Sequence, residues 1–292
     1  MDQRFVDLYD EYIHAFIDRR SFLERLTVMA GGSAAAAGIL PLIENDMSKA
    51  ITILETDPRI ECKMVSIPGG PASLMGYQVT PTYVGKTKPA KMPGVVIVGE
   101  NRSTNPNIKD LCRRIATDGF MVIGVDYLSP VGGAPVDQEL AGQMTGRVKK
   151  EDIIAWFKLG SQYLVDRPDV GKVGIMGWCW GGDVVNTQLV EDRNLSAGVS
   201  WYGNHPDLAK VNQITAPLLG HYAGKDEPIL LKMPNYDKAL TEAGKQHTFY
   251  VYPGTHHGFF NDTNSTRWDP VSGQLAWDRS LAFFKKYLDY PA

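Results

Sequence analysis

Cysteine is scarce in this chain. Its 292 residues hold three, Cys62, Cys112 and Cys179, far apart and odd in number. No Cys-x-x-Cys pair and no Cys/His spacing of a metal site occurs, so neither a disulfide framework nor a bound metal is expected, and no cofactor is implied. An excess of charge is lacking too. The formal net charge is −3, which points to no nucleic acid and no anionic membrane as partner. Beyond the first 50 residues nothing approaches transmembrane length, so stable membrane insertion is not expected. No internal repeat and no second domain is visible. What remains is 43% hydrophobic and 22% charged, ordinary globular composition with ample material for one large core.

Residues 1–57 read as an N-terminal extension. Arg19-Arg20-Ser21-Phe22-Leu23 precedes Leu26–Ala30 and an Ala/Gly run ending Ile39-Leu40-Pro41-Leu42-Ile43. This resembles a twin-arginine export signal. It departs from one at Asp18, where Ser or Thr is usual, and at Glu24, where Lys is usual, and no clear Ala-x-Ala cleavage site follows. The plain alternative is a helical extension, since Asp7, Leu8, Tyr12, Ile13, Phe16 and Ile17 fall at helical spacing. Periplasmic export and a cytoplasmic location both stay open.

From residue 58 to 292 the pattern is one α/β domain. Cys62–Ile67 and Leu74–Pro81 flank the turn Pro68-Gly69-Gly70-Pro71 and read as an antiparallel edge hairpin. Val95-Val96-Ile97-Val98 is a continuous apolar run, the pattern of a strand buried on both faces. Further strands are expected at Met121–Val125, Val173–Met176, Ala197–Tyr202, Leu218–Ala223 and His247–Tyr252. Helices are expected at Pro106–Asp118, Lys149–Asp166, Gly182–Val190, Pro234–Ala243 and Gln274–Tyr287. Leu128–Gly146 shows no periodicity and reads as a long loop over the strand ends. Strands alternating with helices at this pace predict a doubly wound, mostly parallel sheet. In such sheets ligands bind beyond the carboxyl ends of the strands. Glu100, Cys179, Asp226 and His257 each follow an expected strand end.

The densest signal is Gly177-Trp178-Cys179-Trp180-Gly181, between a buried strand and a helix. It has the form of a nucleophile elbow, Gly-x-Ser-x-Gly, with cysteine in the serine place. A nucleophile at the tip of so sharp a turn leaves room only for small residues two positions away on either side. The helix that follows aims its free N–H groups and positive dipole end at the tip. An acid and a histidine follow in the order of the α/β-hydrolases: Asp226, with Glu227 as competitor, and then the adjacent His256 and His257, of which only one can face inward. In this arrangement Cys179 attacks an acyl carbon, the histidine moves the proton, and the acid holds the imidazole. The oxyanion would be met by the backbone N–H of Trp180 and that of Asn101, after the first buried parallel strand.

These residues together resemble the dienelactone hydrolase family. The resemblance rests on Gly-x-Cys-x-Gly-Gly at 177–182, the glycine-led loop holding Asp226, His257-Gly258-Phe259, and Glu100 after its strand. It covers roughly residues 60–290. It implies an α/β-hydrolase fold and a hydrolase cleaving an ester or lactone, a small-molecule substrate, through an acyl-enzyme. It selects His257 over His256, and it implies that Glu100 interacts with the resting nucleophile and helps control its ionisation. Read without it, Glu100 could be a solvated loop acid, and Asp126 a local backbone acceptor. Trp178 and Trp180, with the loop Leu128–Pro135, are candidate walls of an acyl pocket; the tryptophans fit core packing equally well. The family's namesakes hold a substrate carboxylate with two arginines; here those places read Pro130 and Asn261, with Arg102 and Arg147 as possible substitutes. A generic ester, lactone or thioester is therefore expected. A non-catalytic binding protein of the same fold is the alternative.

Overall fold

A computed structural model describes residues 3–13, 17–44, 46, 49, 51–85 and 87–291. Eight strands form one sheet in the order β1-β2-β4-β3-β5-β6-β7-β8. The first two, β1 (Ile60–Ser66) and β2 (Met75–Pro81), make an antiparallel hairpin at one edge. Six parallel strands follow: β3 (Met92–Val98), β4 (Met121–Asp126), β5 (Val170–Trp178), β6 (Leu195–Trp201), β7 (Leu218–Ala223) and β8 (His247–Tyr252). All seven residues of β3 are buried, which accounts for its unbroken apolar run.

The chain runs from β3 outward to β4, then returns to place β5 on the other side of β3. That reversal makes β3/β5 the switch point of the sheet, where a crevice opens beyond the strand ends. Helices cover both faces. On one, α6 (Lys150–Val165), α7 (Trp180–Glu191) and α9 (Met233–Glu242) bury Phe157, Val184, Leu189 and Leu240. On the other, α4 (Pro106–Thr117) and α10 (Pro270–Tyr287) bury Leu111, Ile115 and Phe284. Both α4 and α10 begin with proline behind a capping acceptor, Asn105 and Asp269, whose side chains take the Ile108 and Ser272 N–H groups.

The stretch Leu128–Gly146 is not the structureless loop expected. It holds a single 3₁₀ turn at Ser129–Val131 and α5 (Gln138–Thr145). Asp137 starts this helix by accepting the N–H groups of Glu139 and Leu140. Two turns carry too little periodicity to be seen in sequence.

Among the described residues, no strand precedes Ile60. The N-terminal segment forms α1 (Gln3–Ile13), α2 (Arg19–Ala30) and α3 (Ser33–Ile43), with a core of its own around Leu8, Phe22, Leu26 and Ile43. Phe16, and the side chain of Ile13, lie outside the described residues. Asp18 caps α2 by accepting the Ser21 N–H at 2.7 Å. No single described helix is long and apolar enough to cross a membrane; α2 and α3 reach that length and composition only together, across a 113° bend.

Candidate active site

Cys179 stands between β5 and α7 with φ 57° and ψ −122°, a left-handed backbone that a side chain rarely adopts. Its surroundings hold it there. The Cys179 N–H donates to Trp201 O at 3.0 Å, and Cys179 O accepts the Gly182 N–H at 2.8 Å. The flanking glycines are required by contact. A Cβ on Gly177 would lie 2.4 Å from Gly181 O, and one on Gly181 would lie 2.4 Å from Val98 O.

The structure brings His257 and Asp226 to this thiol from the ends of β8 and β7. His257 Nδ1 lies 2.5 Å from Asp226 Oδ2, with both side chains buried. The imidazole hydrogen-bonds Cys179. His256 turns the other way, its Nε2 3.4 Å from Lys225 Nζ. Glu227 opens the short helix α8 (Glu227–Leu230) and is exposed. Asp126 accepts from the Ser103 hydroxyl and the Leu128 N–H, a local role.

Burial pushes the Cys179 thiol above its ordinary pKa; the charge and hydrogen bond of His257 pull it down, while the carboxylates of Glu100 and Asp183 push it up. Glu100 is half-buried and hydrogen-bonded at the site. Its Oε1 accepts from Asn261 Nδ2 at 3.1 Å, and Asn261 is oriented by Thr263, which donates to Asn261 Oδ1.

A cavity of about 400 Å³ opens over Cys179 and His257. Asn101 and Trp180 line it. Trp178 does not: it is core, stacked on Phe260 at 6.1 Å. The pocket wall expected from Leu128–Pro135 comes instead from Gly142 and Thr145 of α5, with Val148 and Ile153 behind. Neither substitute arginine lines this cavity. Arg147 is exposed, and Arg102 is tied to Asn101 Oδ1 at 2.7 Å and to Gln138 O at 3.1 Å. Lys150 and Asp183 line it instead.

Sequence reading missed Tyr202, Asn204 and Asp183 on this wall. The first two follow the end of β6, so the strand-end rule that found Asp226 would have found them. Tyr202 has φ 40° and stacks obliquely on the His257 ring at 4.7 Å. Burial and the charges of Glu100 and Cys179 drive its phenol well above the ordinary range. Among the described residues, no cluster of three or more His, Cys, Asp or Glu could hold a metal ion.

Comparison with known proteins agrees with this architecture. A family model described as the dienelactone hydrolase family matches residues 80–288, and one described as YqhI-like matches residues 1–31. A protein of Escherichia coli (strain K12), named a candidate carboxymethylenebutenolidase, is 28% identical over 257 residues, covering 82% of this chain and 92% of its own. Protein usf of Aquifex pyrophilus is 29% identical over 238 residues, 77% of this chain and 99% of its own. A crystal structure of a candidate dienelactone hydrolase from Klebsiella pneumoniae superposes with a TM-score of 0.68 at 25% identity, covering 78% of this chain and 99% of that one. The chain belongs to the dienelactone hydrolase family, and it is a hydrolase of the carboxylic ester and lactone type.

Proposed function

We propose that this hydrolase works through Cys179, His257 and Asp226 and an acyl-enzyme. The observation that carries the reading is the buried Asp226–His257 pair, 2.5 Å apart, with its imidazole bonded to a thiol at a strained elbow. His257 takes the thiol proton as sulfur attacks the acyl carbon. The carbonyl oxygen becomes an oxyanion and is met by the backbone N–H groups of Trp180 and Asn101. The tetrahedral intermediate collapses, the leaving oxygen departs with the proton from His257, and a thioester remains on Cys179. Water, deprotonated by His257, then releases the acid and restores the thiol. Asp226 fixes the imidazole tautomer and stabilises its charged form. Each oxyanion donor is worth roughly 10²–10³ in rate.

Glu100 has a regulatory part in this scheme. Burial raises the thiol pKa most, the Glu100 carboxylate adds to it in keeping the resting thiol protonated, and Asn261 keeps the carboxylate in place. The substrate is an ester, lactone or thioester without a strict need for a carboxylate, because Pro130 and Asn261 occupy the places of the family's arginines. No observation favours the binding-only alternative. An ester and lactone library screened on wild type and Cys179→Ala tests the reading. Turnover with a burst equal to the enzyme concentration is expected from wild type alone. Equal turnover by Cys179→Ala would reject the nucleophile.

A further inference from the structure

We propose that Tyr127 is the positioning residue of the oxyanion hole: its buried hydroxyl fixes the peptide unit whose N–H, that of Asn101, meets the oxyanion. This rests on the reading of Cys179 and its oxyanion donors above.

The Asn101 N–H and the Glu100 carbonyl belong to one peptide unit. That unit is planar and trans, so its N–H and its C=O point in opposite directions. Whatever fixes the Glu100 carbonyl therefore aims the Asn101 N–H. Two donors reach that carbonyl. One is the Arg102 N–H at 2.6 Å, from within the loop itself. The other is the Tyr127 hydroxyl at 3.3 Å, from just past the end of β4. The same hydroxyl accepts the Ser103 N–H at 2.9 Å. Tyr127 thus holds the loop on both sides of Asn101.

The loop needs such a hold. Ser103 has φ 55°, a left-handed backbone that only glycine adopts freely. Strained backbone of this kind persists where its surroundings over-determine it. The Ser103 hydroxyl donates to Asp126 Oδ1 at 2.7 Å, so two successive residues at the end of β4 fasten this one.

Tyr127 is itself fixed. It is fully buried, with its ring 5.9 Å from that of Phe157 and 5.3 Å from that of Trp180. Trp180 carries the second oxyanion N–H, so one side chain borders both donors. Burial lifts the Tyr127 phenol far above its ordinary pKa, so it keeps the proton it donates. A hydrogen bond to the Glu100 carbonyl also polarises the peptide and strengthens the Asn101 N–H as a donor.

Tyr127→Phe keeps the ring and removes the hydroxyl. The test compares two reactions of Cys179 on the full chain. Acylation by 4-nitrophenyl acetate passes through an oxyanion; alkylation by iodoacetamide displaces iodide and forms none. Acylation, read from the burst, is expected to slow by about tenfold or more, short of the roughly 10²–10³ of a donor removed outright. Alkylation and its pH profile should match wild type. Tyr163→Phe is the control, since it deletes a hydroxyl bonded to Gln78 Oε1 at 2.6 Å, and both its rates should match wild type. Unchanged acylation in Tyr127→Phe, an equal fall in both reactions, or an equal loss in Tyr163→Phe overturns the proposal. If Tyr127→Phe does not fold, 3-fluorotyrosine at position 127 decides. It keeps the hydroxyl and makes it a stronger donor, so acylation should quicken with alkylation unchanged; acylation no faster than wild type overturns the proposal. A burst from Cys179→Ala overturns the nucleophile reading instead.

Discussion

Adding one methyl group at Gly181 should disable the enzyme, and the structure gives the size of the problem. A Cβ at Gly181 would lie 2.4 Å from Val98 O, 2.5 Å from Gly99 O and 3.0 Å from the Val98 carbonyl carbon. It falls 0.6 Å short of the 3.0 Å limit below which real Cβ atoms are essentially never found. All three atoms are backbone, so no side chain can swing away. Either α7 backs off, carrying the Trp180 N–H, or the end of β3 yields, carrying Gly99, Glu100 and Asn101. Both responses displace a proposed oxyanion donor. A misplacement approaching 1 Å costs on the order of 10²-fold in rate. Overpacking costs about 1–3 kcal/mol of stability, or roughly 2–4 °C of Tm for each kcal/mol in a domain of this size. The assay pairs burst and steady-state hydrolysis of an activated ester with urea and thermal unfolding. Gly38→Ala is the control: it lies inside α3 with nothing within 4 Å of the new Cβ. The same chemical change there should stabilise by about 0.5–1 kcal/mol. A Gly181→Ala enzyme with wild-type rate and stability would refute the elbow argument.

Two further expectations concern titration. Glu100→Gln removes a negative charge that raises the Cys179 pKa, so the variant should be alkylated faster by iodoacetamide at pH 7 with its fold intact; an unchanged or higher thiol pKa would deny Glu100 this role. Buried His221, held by Tyr252 and Ser280, has its pKa depressed to about 3 by burial and by the Arg279 charge. The unfolded chain takes up this proton below about pH 6.5 while the native state stays neutral to about pH 3, so stability falls as pH drops through that window. From pH 7 to 4 the loss from this group is on the order of 3 kcal/mol. His221→Gln should flatten the acid limb of unfolding free energy against pH, and an identical slope in urea titrations would contradict the assignment.

The sequence was most legible where local chemistry and burial agree. The apolar run at Val95–Val98 could only be a strand buried on both faces, and β3 is buried throughout. The elbow was readable because the close approach of Gly177 and Gly181 to backbone leaves no other residue type possible. The order of Cys179, Asp226 and His257, each after an apolar run, placed them at strand ends. Other features were not local. The helix α5 is eight residues long and depends on one cap, Asp137, so its pattern was too short to read. The choice between Trp178 and Trp180 turns on which side of β5 each faces once Phe260 has packed against the first. Asn261 finds Glu100 across 161 positions of sequence, and Arg19 finds Glu139 across 120. Such meetings follow from which crossovers lay β3, β5, β7 and β8 side by side and from where the N-terminal helices dock. Residue types and spacing thus determined the strands, the elbow and the order of its partners. The walls of the site, and the contacts that orient Glu100, were decided by tertiary structure alone, because they join segments that share no local signal.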